Sequence, residues 1–313
     1  QRVFGIRPTS LGSLSEAARV FDPTLLEPIV AELATRALAQ PAARPPDERA
    51  ALAGLIAVDG SLLPALPRMA WALWQDATHR AAKVHVAFAV WPGVPVQATV
   101  THGHASEREQ LRRMAQPGGF YVMDRGYAEY DLLRELDALG ARFVQRLQDN
   151  AAYEVVSENP LTAADRTAGV VRDVVVRRLG TDKHNALLDR PFRVIECEGG
   201  PVGGRWVLAT NATGLSADLV VLAYRHRWVV ELFFRWLKCI LGCRHLLAEN
   251  RAGVTLQVYL AIIASLLIGL WTGAKPTKRL YELLCHYFNG WATAEEVERY
   301  RQKLQPKTGP PSK

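Results

Sequence analysis

The sequence predicts a mixed α/β fold, and two observations favour it. Short apolar segments with strand character alternate with amphipathic helical segments between residues 55 and 147. From residue 151 to 212 strands follow one another without helices, and helical patterns fill both ends of the chain. Three strands and a helix, followed by strand, helix and strand, form a coherent α/β order.

The N-terminal segment, residues 1–48, is predicted to be helical and to end in a linker. Ser10 to Gln40 has a helical pattern, in which Ser15 is a candidate N-cap and Pro23 opens a second helix. The stretch 41–46, PAARPP, is the candidate linker. Because Gln1 rather than methionine opens the chain, we expect this segment to be truncated.

Residues 49–150 are predicted to form the first part of an α/β core. Its five predicted strands are Leu55–Asp59, Lys83–Trp91, Val94–Thr101, Gly119–Asp124 and Ala141–Leu147. Its two predicted helices are Glu107–Met114 and Glu129–Leu139. The second helix ends before Gly140, which is a residue typical of helix C-termini.

Residues 151–215 are predicted to be an all-β insertion. Its predicted strands are Val170–Leu179, Phe192–Cys197 and Arg205–Ala209, and its basic residues are candidates for contact with an anion. Residues 216–272 return to helix, with one long helix from Ser216 to about Leu241 and a second, very apolar one. Residues 273–313 are predicted to be a basic helical segment with a disordered tail.

The apolar run Val258–Trp271 allows two interpretations, a membrane span or a buried core helix. Its length is below the ~20 residues that a span needs, so we favour the core helix.

Composition narrows the function classes. The 313 residues carry a formal net charge of +7, with 49% hydrophobic and 22% charged residues, which excludes a disordered chain and favours a polyanionic partner. The four cysteines are too few for a disulfide framework, and their spacing completes no zinc site, so we expect reduced thiols. We also expect no metal site at His79, His85, His102 and His104.

Two acids stand at the ends of apolar strands, Asp59 in IAVDGS and Asp124 in YVMDRGY. Each alone could simply cap a turn or a helix. Two strands of one sheet can nevertheless bring both carboxylates to one place, and converging carboxylates bind hard divalent cations such as Mg²⁺.

A third acid, Glu231, lies in a helix dense in apolar residues, which we expect to be mostly buried. At about 100° per residue, Tyr224, Arg227, Glu231 and Lys238 fall on one stripe of that helix. An internal salt bridge between Arg227 and Glu231 would also explain part of this pattern.

The spacing Tyr224-x2-Arg227-x3-Glu231-x6-Lys238 resembles the YREK signature of DDE transposases of bacterial insertion sequences, in the insertion-sequence-four family. The DGS context of Asp59 and the DRGY context of Asp124 resemble the first and second acidic motifs of that family, and FVQRLQDN follows the second acid as it does there. The resemblance covers most of the chain.

This resemblance implies a ribonuclease-H-like catalytic core with a β-rich insertion between the second and third acids. It implies that Asp59, Asp124 and Glu231 are catalytic and hold Mg²⁺, with Mn²⁺ as a substitute. It also implies that Tyr224, Arg227 and Lys238 bind DNA phosphates. Beside these, Trp228 is a candidate for base stacking or for the core, and Arg125 and Arg146 are candidate phosphate contacts.

The function implied is metal-dependent cleavage of transposon ends and strand transfer into target DNA, through hairpin intermediates. The implied partners are inverted-repeat ends and target DNA, with a homodimer in a synaptic complex, in the bacterial cytoplasm at the nucleoid. We expect neither a membrane partner nor an organic cofactor. Two alternatives stay open, a structure-selective DNA nuclease on the same core and a DNA-binding derivative without catalysis.

Overall fold

A single nine-stranded sheet organises the part of the chain that the computed structural model describes, residues 9–40, 47–76, 78–181, 185–199 and 204–304. The strands are β1 (Leu55–Ala65), β2 (Arg80–Ala89), β3 (Val94–His102), β4 (Phe120–Met123), β5 (Arg142–Arg146), β6 (Ala151–Glu158), β7 (Val170–Thr181), β8 (Asn185–Cys197) and β9 (Trp206–Thr210). Their order in the sheet is β3-β2-β1-β4-β5-β9-β8-β7-β6.

Ten α-helices accompany the sheet in these ranges. They are α1 (Leu11–Val20), α2 (Glu27–Leu38), α3 (Glu107–Met114), α4 (Tyr130–Ala138), α5 (Ala163–Thr167), α6 (Ala217–His226), α7 (Trp228–Cys239), α8 (Arg251–Thr272), α9 (Lys278–Phe288) and α10 (Ala294–Leu304). The mixed α/β fold predicted from the sequence is confirmed.

The centre of the sheet is parallel and both flanks are antiparallel. β1 pairs in parallel with β4, and β4 with β5, whereas β2, β3 and β9 join antiparallel. Ala57 lies opposite Val122 in the parallel pair, so Asp59 on β1 is level with the residue that follows β4. The register therefore places the first and second predicted acids side by side.

Helices cover both faces of the central strands. Alternate residues of β2, such as Val86 and Phe88, pack with buried side chains of α2, α6, α7 and α8. On the opposite face Val58 and Ala87 pack with α3 and α4. The first face carries α7, and the second carries α3, so two helices approach the acids from opposite sides of the sheet.

The first strand and the first helix differ from the prediction. β1 does not end at Asp59, because residues 60–65 continue to pair with residues 80–85 of β2, and Asp59 therefore lies in mid-strand. The N-cap of α1 is Ser10, whose side chain accepts from the amide of Ser13, and Ser15 lies inside the helix. Pro23 opens a short 3-10 turn, Pro23–Leu26, before α2.

The strand-rich region is continuous with the core sheet. The three predicted strands correspond to β7, β8 and β9, and the sequence did not predict β6 or the five-residue helix α5. β9 pairs with β5, so the four strands extend the central sheet. The domain boundaries at 151 and 215 stay a prediction.

The prediction of one long helix from Ser216 to Leu241 is wrong. α6 ends at His226 and α7 begins at Trp228. Around the junction the amides of Arg227 and Val230 bond to carbonyls three residues back, at 3.1 and 3.2 Å, which tightens the backbone there. α7 then ends at Cys239.

α8 is the one helix in the described ranges that is long and apolar enough to cross a membrane by length and composition. Its buried side chains, Val258 and Ile262 among them, belong to the core cluster, whereas Leu260, Leu267 and Trp271 are exposed. The helical C-terminal prediction is confirmed by α9 and α10. The predicted linker 41–46 and the end of the predicted tail, 305–313, lie outside the described residues.

Candidate active site

Asp59 and Asp124 lie beside each other on the two central strands. The Asp59 side chain is 17% exposed, and its Oδ1 accepts from the amide of Gly60 at 2.8 Å. Asp124 is the first residue after β4, and its Oδ1 accepts from the amide of Gly126, also at 2.8 Å. In each carboxylate one oxygen is therefore fixed by a backbone amide of its own segment.

The register brings the two negative charges close together, and this is reflected in the pKa of Asp59. Burial raises the pKa of Asp59 to about 7, and the negative charge of Asp124 adds to the rise. Arg227 and the amide of Gly60 act in the opposite direction without cancelling the rise. A carboxylate that is hard to ionise in this way is typical of functional sites.

Arg227 connects Glu231 to this pair. Its guanidinium donates to Oε1 of Glu231, and its Nη1 lies 3.7 Å from Oδ2 of Asp59. Burial alone would lower the pKa of Arg227, but Glu231, Tyr224 and Asp59 raise it overall. The salt bridge predicted from the i,i+4 spacing is present, and it also joins two acids that are far apart in the sequence.

The predicted YREK stripe is divided between two helices. Tyr224 belongs to α6 and is buried, with its ring edge against Trp206 at a centroid distance of 5.1 Å and near the Arg227 guanidinium at 6.0 Å. Lys238, in the last turn of α7, is half-buried. Burial lowers the pKa of Lys238, whereas Cys239 and Asp59 raise it, so Asp59 is close enough to act on the ammonium group.

The expectation that this helix is mostly buried is wrong for one face of α7. Trp228 is 56% exposed, Leu232 is 49% exposed, and Arg235 and Cys239 on the same face are exposed as well. The face opposite, with Val230, Phe234 and Leu237 among its residues, packs into the core. Trp228 is therefore an accessible aromatic ring one residue away from Arg227.

The two remaining candidate phosphate contacts occupy different places. Arg125 follows Asp124 directly and is exposed, with Nη1 at 3.6 Å from Oδ2 of Asp149. Arg146 is the last residue of β5, and its charge acts on the Cys197 thiol on the β8 side. Chain connectivity thus places Arg125 beside the second acid, and Arg146 lies towards the other half of the sheet.

Three residues near the acids were not predicted from the sequence. Glu107, the first residue of α3, and Lys83 of β2 form a salt bridge of 3.4 Å close to Gly60. Gln145 is fully buried on β5 and donates from Nε2 to the carbonyl of Asp124. Gln145 lies within the FVQRLQDN stretch, but no local motif marks Glu107 or Lys83, because their proximity to the acids depends on pairing between elements distant in the chain.

The donor chemistry fits a divalent cation, although the acids are not gathered around one. Among the described residues no three His, Cys, Asp or Glu side chains lie close enough together to hold a metal ion. Asp59 and Asp124 offer hard oxygen donors whose mutual repulsion a cation would relieve, and Glu231 is engaged by Arg227. The residues present therefore suit Mg²⁺ or Mn²⁺ better than a softer metal.

Two of the histidines set aside in the sequence have other partners. His85 is buried on β2 with Nε2 at 2.8 Å from the Thr101 hydroxyl. His79 is exposed, with Nδ1 at 2.8 Å from Oδ2 of Asp76.

The family of the chain follows from comparison with known proteins. The family model described as a transposase DDE domain matches residues 51–267, a range that contains all three acids. The chain belongs to this family, and the resemblance to DDE transposases of insertion sequences is confirmed.

Individual relatives carry the same description. A protein of Sinorhizobium fredii named as a transposase is 28% identical over 212 residues, which are 67% of this chain and 59% of that protein. A protein of Geobacillus stearothermophilus named as a transposase for an insertion sequence element is 26% identical over 202 residues, 64% of this chain and 52% of that protein. The chain thus spans only a little more than half the length of these relatives.

Among solved structures, the chain is similar to a piggyBac transposase in a synaptic complex with hairpin DNA. The identity is 8% and the TM-score 0.41, over 83% of this chain and 59% of that chain.

Proposed function

We propose that this chain is the catalytic part of a DNA transposase that cuts the ends of an insertion sequence and joins them to target DNA. The observation that carries the proposal is the convergence of Asp59, Asp124 and Glu231. The strand register supports it by placing the first two side by side, and Arg227 links the first to the third. Residues from a mid-strand position, a strand end and a helix thus lie on one side of the central strands, connected through Arg227.

We also propose a ribonuclease-H-like core for this chain. The strand order β3-β2-β1-β4-β5, with β1, β4 and β5 parallel, supports it, as does the position of the acids on β1, after β4 and on α7. Strands β6 to β9 lie between the second and third acids in the chain, which is where the resemblance implies a β-rich insertion.

The acids would hold Mg²⁺, with Mn²⁺ as a substitute, through the carboxylates of Asp59, Asp124 and Glu231. When bound, such cations activate a nucleophilic oxygen and stabilise the leaving oxygen of an in-line displacement at phosphorus. Arg227 holds Glu231 in the structure and would exchange this contact for a DNA phosphate. The buried amide of Gln145 keeps the Asp124 loop in place.

DNA would approach the exposed face of α7 beside the acids. Lys238 and Arg227 would contact phosphates of the element end, with Tyr224 supporting the Arg227 guanidinium from within the core. Trp228 is exposed enough to stack on a base, and Arg125 beside Asp124 would contact a neighbouring phosphate. Arg146 would act farther along the duplex.

Further parts of the proposal concern the assembly. A homodimer would pair two inverted-repeat ends in a synaptic complex, release would proceed through hairpin intermediates, and the protein would act in the cytoplasm at the nucleoid.

The proposal is tested with labelled duplexes made from the DNA that flanks the gene on each side. The wild-type chain is incubated with each duplex and a target plasmid, with Mg²⁺, with Mn²⁺ or with EDTA. Asp124→Asn removes one acid, and Asp131→Asn, an exposed acid at the start of α4, is the matched control. We expect cleavage and joined products with wild type and Asp131→Asn only.

The outcomes separate the alternatives. Cleavage without joined products would indicate a structure-selective nuclease. Binding of the duplexes with no cleavage above that of Asp124→Asn would indicate a DNA-binding derivative. Either result contradicts the proposed transposase function.

A further inference from the structure

Glu107 lies over both segments that carry the aspartates, strand β1 and the turn after β4. A Cβ atom built on Gly60 would stand 2.7 Å from Oε1 of Glu107, and one built on Gly126 would stand 3.6 Å from Oε2. Gly60 follows Asp59 directly, and Gly126 is the residue whose amide binds Asp124. The Glu107 carboxylate therefore occupies the space between the two acid-bearing backbones, on the α3 side of the sheet.

An ordinary role at the start of a helix does not account for this position. Acids in the first turn of a helix stabilise its dipole while they stay in solvent, as Glu109 does, which is about half exposed and paired with Arg112. Glu107 is only 26% exposed and turns towards the sheet. The two acids belong to the same helical turn, but only one of them faces the site.

Lys83 anchors Glu107 without fully neutralising it. The Lys83 ammonium lies 3.4 Å from Oε1 and also donates to the carbonyl of Ala105 at 3.2 Å. Oε2 lies on the other side, towards Gly126. The charge still acts on the site, since burial and then Glu107 raise the pKa of the buried Tyr127 phenol well above its usual range.

We propose that Glu107 is a fourth acidic residue of the active site, a positioning residue that strengthens the binding of a divalent cation by Asp59 and Asp124. This inference rests on the proposed function. Carboxylates outside the set of direct ligands fix the ligands and add negative charge, and their loss typically weakens metal binding about 10- to 100-fold. Glu107 lies beside Gly60 and Gly126, next to both aspartates, so it can act on both of them together.

The proposal explains why position 60 is a glycine. A side chain at position 60 would meet the carboxylate of Glu107 at Oε1, Cγ and Cδ, all within 3.1 Å. The backbone of Gly60 itself is not in the left-handed region. Gly60 is required here for the close approach of Glu107 and not for its own conformation.

The first test measures Mn²⁺ binding to the whole chain without DNA, by electron paramagnetic resonance of free Mn²⁺. Glu107→Gln removes the charge and keeps the shape, and Glu109→Gln is the matched control in the same turn. We expect about tenfold weaker binding for Glu107→Gln and wild-type binding for Glu109→Gln.

The variant Asp124→Asn distinguishes a failure of the Glu107 proposal from a failure of the proposed metal site. If Asp124→Asn loses Mn²⁺ and Glu107→Gln binds like wild type, the role of Glu107 is overturned while the proposed function stands. If wild type binds no Mn²⁺, or if Asp124→Asn binds like wild type, the metal site of the proposed function is overturned, and the role of Glu107 with it.

The second test separates positioning from a general effect on folding. Gly60→Ala should displace Glu107 and weaken Mn²⁺ binding in the wild-type background, and should add nothing in a Glu107→Ala background. Thermal melts of all four proteins confirm that each is folded. An equal loss caused by Gly60→Ala in both backgrounds would contradict the positioning role.

Discussion

The two halves of the sheet differ in how their charged residues are paired. In the β7–β9 half arginines have carboxylate partners, as in the pairs Arg193–Asp173, Arg177–Glu154, Arg205–Glu196 and Arg172–Glu158. At the β1–β4 centre, Asp59, Asp124 and Glu107 lie near one another, and Lys83 and Arg227 pair with two of them at the longer distances of 3.4 and 3.7 Å. One half balances its charges and the other half concentrates charge of one sign.

This contrast separates structural charge from functional charge. A buried charge that is paired at hydrogen-bond distance is compatible with a stable fold. Like charges held together destabilise the fold, and such clusters are typical of functional sites. It also changes the view of the basic residues in the strand-rich region. The sequence favoured an anion partner for them, but several of these arginines are engaged by acids of the same sheet.

The largest effect is expected when a balanced, buried pair is broken. Arg193 and Asp173 are 8% and 5% exposed, and Arg193→Met leaves the Asp173 carboxylate buried without its cation. We expect the free energy of unfolding to fall by about 3–5 kcal/mol. Urea denaturation of both proteins measures this. A loss within experimental error would show that water or another group compensates Asp173, and the two halves would then differ less than proposed.

A smaller loss is expected at the centre of the sheet. Arg227→Met removes the cation shared by Asp59 and Glu231, whose side chains are 17% and 31% exposed. We expect a loss of about 2 kcal/mol, because hydrogen bonds to charged groups contribute that much. Mn²⁺ should restore more stability to this variant than to wild type, since it replaces the missing positive charge.

Thermal melts with and without Mn²⁺ measure this difference. The control is Arg193→Met, where Mn²⁺ should restore no more stability than it adds to wild type. Equal Mn²⁺ stabilisation of Arg227→Met and wild type would contradict the view that Arg227 holds the place of a cation.

The sequence predicted the parts of this site that depend on local pattern. Asp124 after a short apolar strand and the Arg227–Glu231 pair at i,i+4 are local signals, and both appear as expected. The extension of β1 beyond Asp59 depends on pairing with β2, which no local pattern encodes. The break between helices α6 and α7 at Arg227 could not be predicted either, because no proline or glycine lies there.

Glu107 illustrates the limit most clearly. Its position in the sequence, after Ser106 and at the start of a helix, indicates only a helix terminus. Its proximity to Gly60 and Gly126 arises because α3 packs across the point where β4 ends and β1 continues. Three separate segments must fold together before this contact exists, and the sequence of each segment alone does not predict it.

A gain in stability is expected where like charges are relieved. The folded pKa of Asp59 is raised to about 7, so the ionised carboxyl destabilises the folded protein above the unfolded pKa of 3.8. Asp59→Asn removes that charge, a relief of roughly 4 kcal/mol for a rise of about three pKa units. The same change weakens the contact with Arg227, so we expect a net gain of about 1 kcal/mol at pH 8 without metal. Urea denaturation at pH 8 in EDTA measures it. A loss of stability would mean that the contact with Arg227 outweighs the repulsion from Asp124.

The smallest effect is expected for an exposed pair in the balanced half of the sheet. Arg177 and Glu154 lie on the solvent side, with side chains 59% and 37% exposed. Water screens such a pair, so Arg177→Met should leave the melting temperature unchanged within the error of the measurement. Its comparison with Arg193→Met holds the sheet region and the residue type constant and changes burial, together with the bonds that Arg193 donates to the carbonyls of Thr213 and Leu215. If both variants lost the same stability, burial could not explain why Arg193 matters. The explanation would then be the charge balance across the whole region.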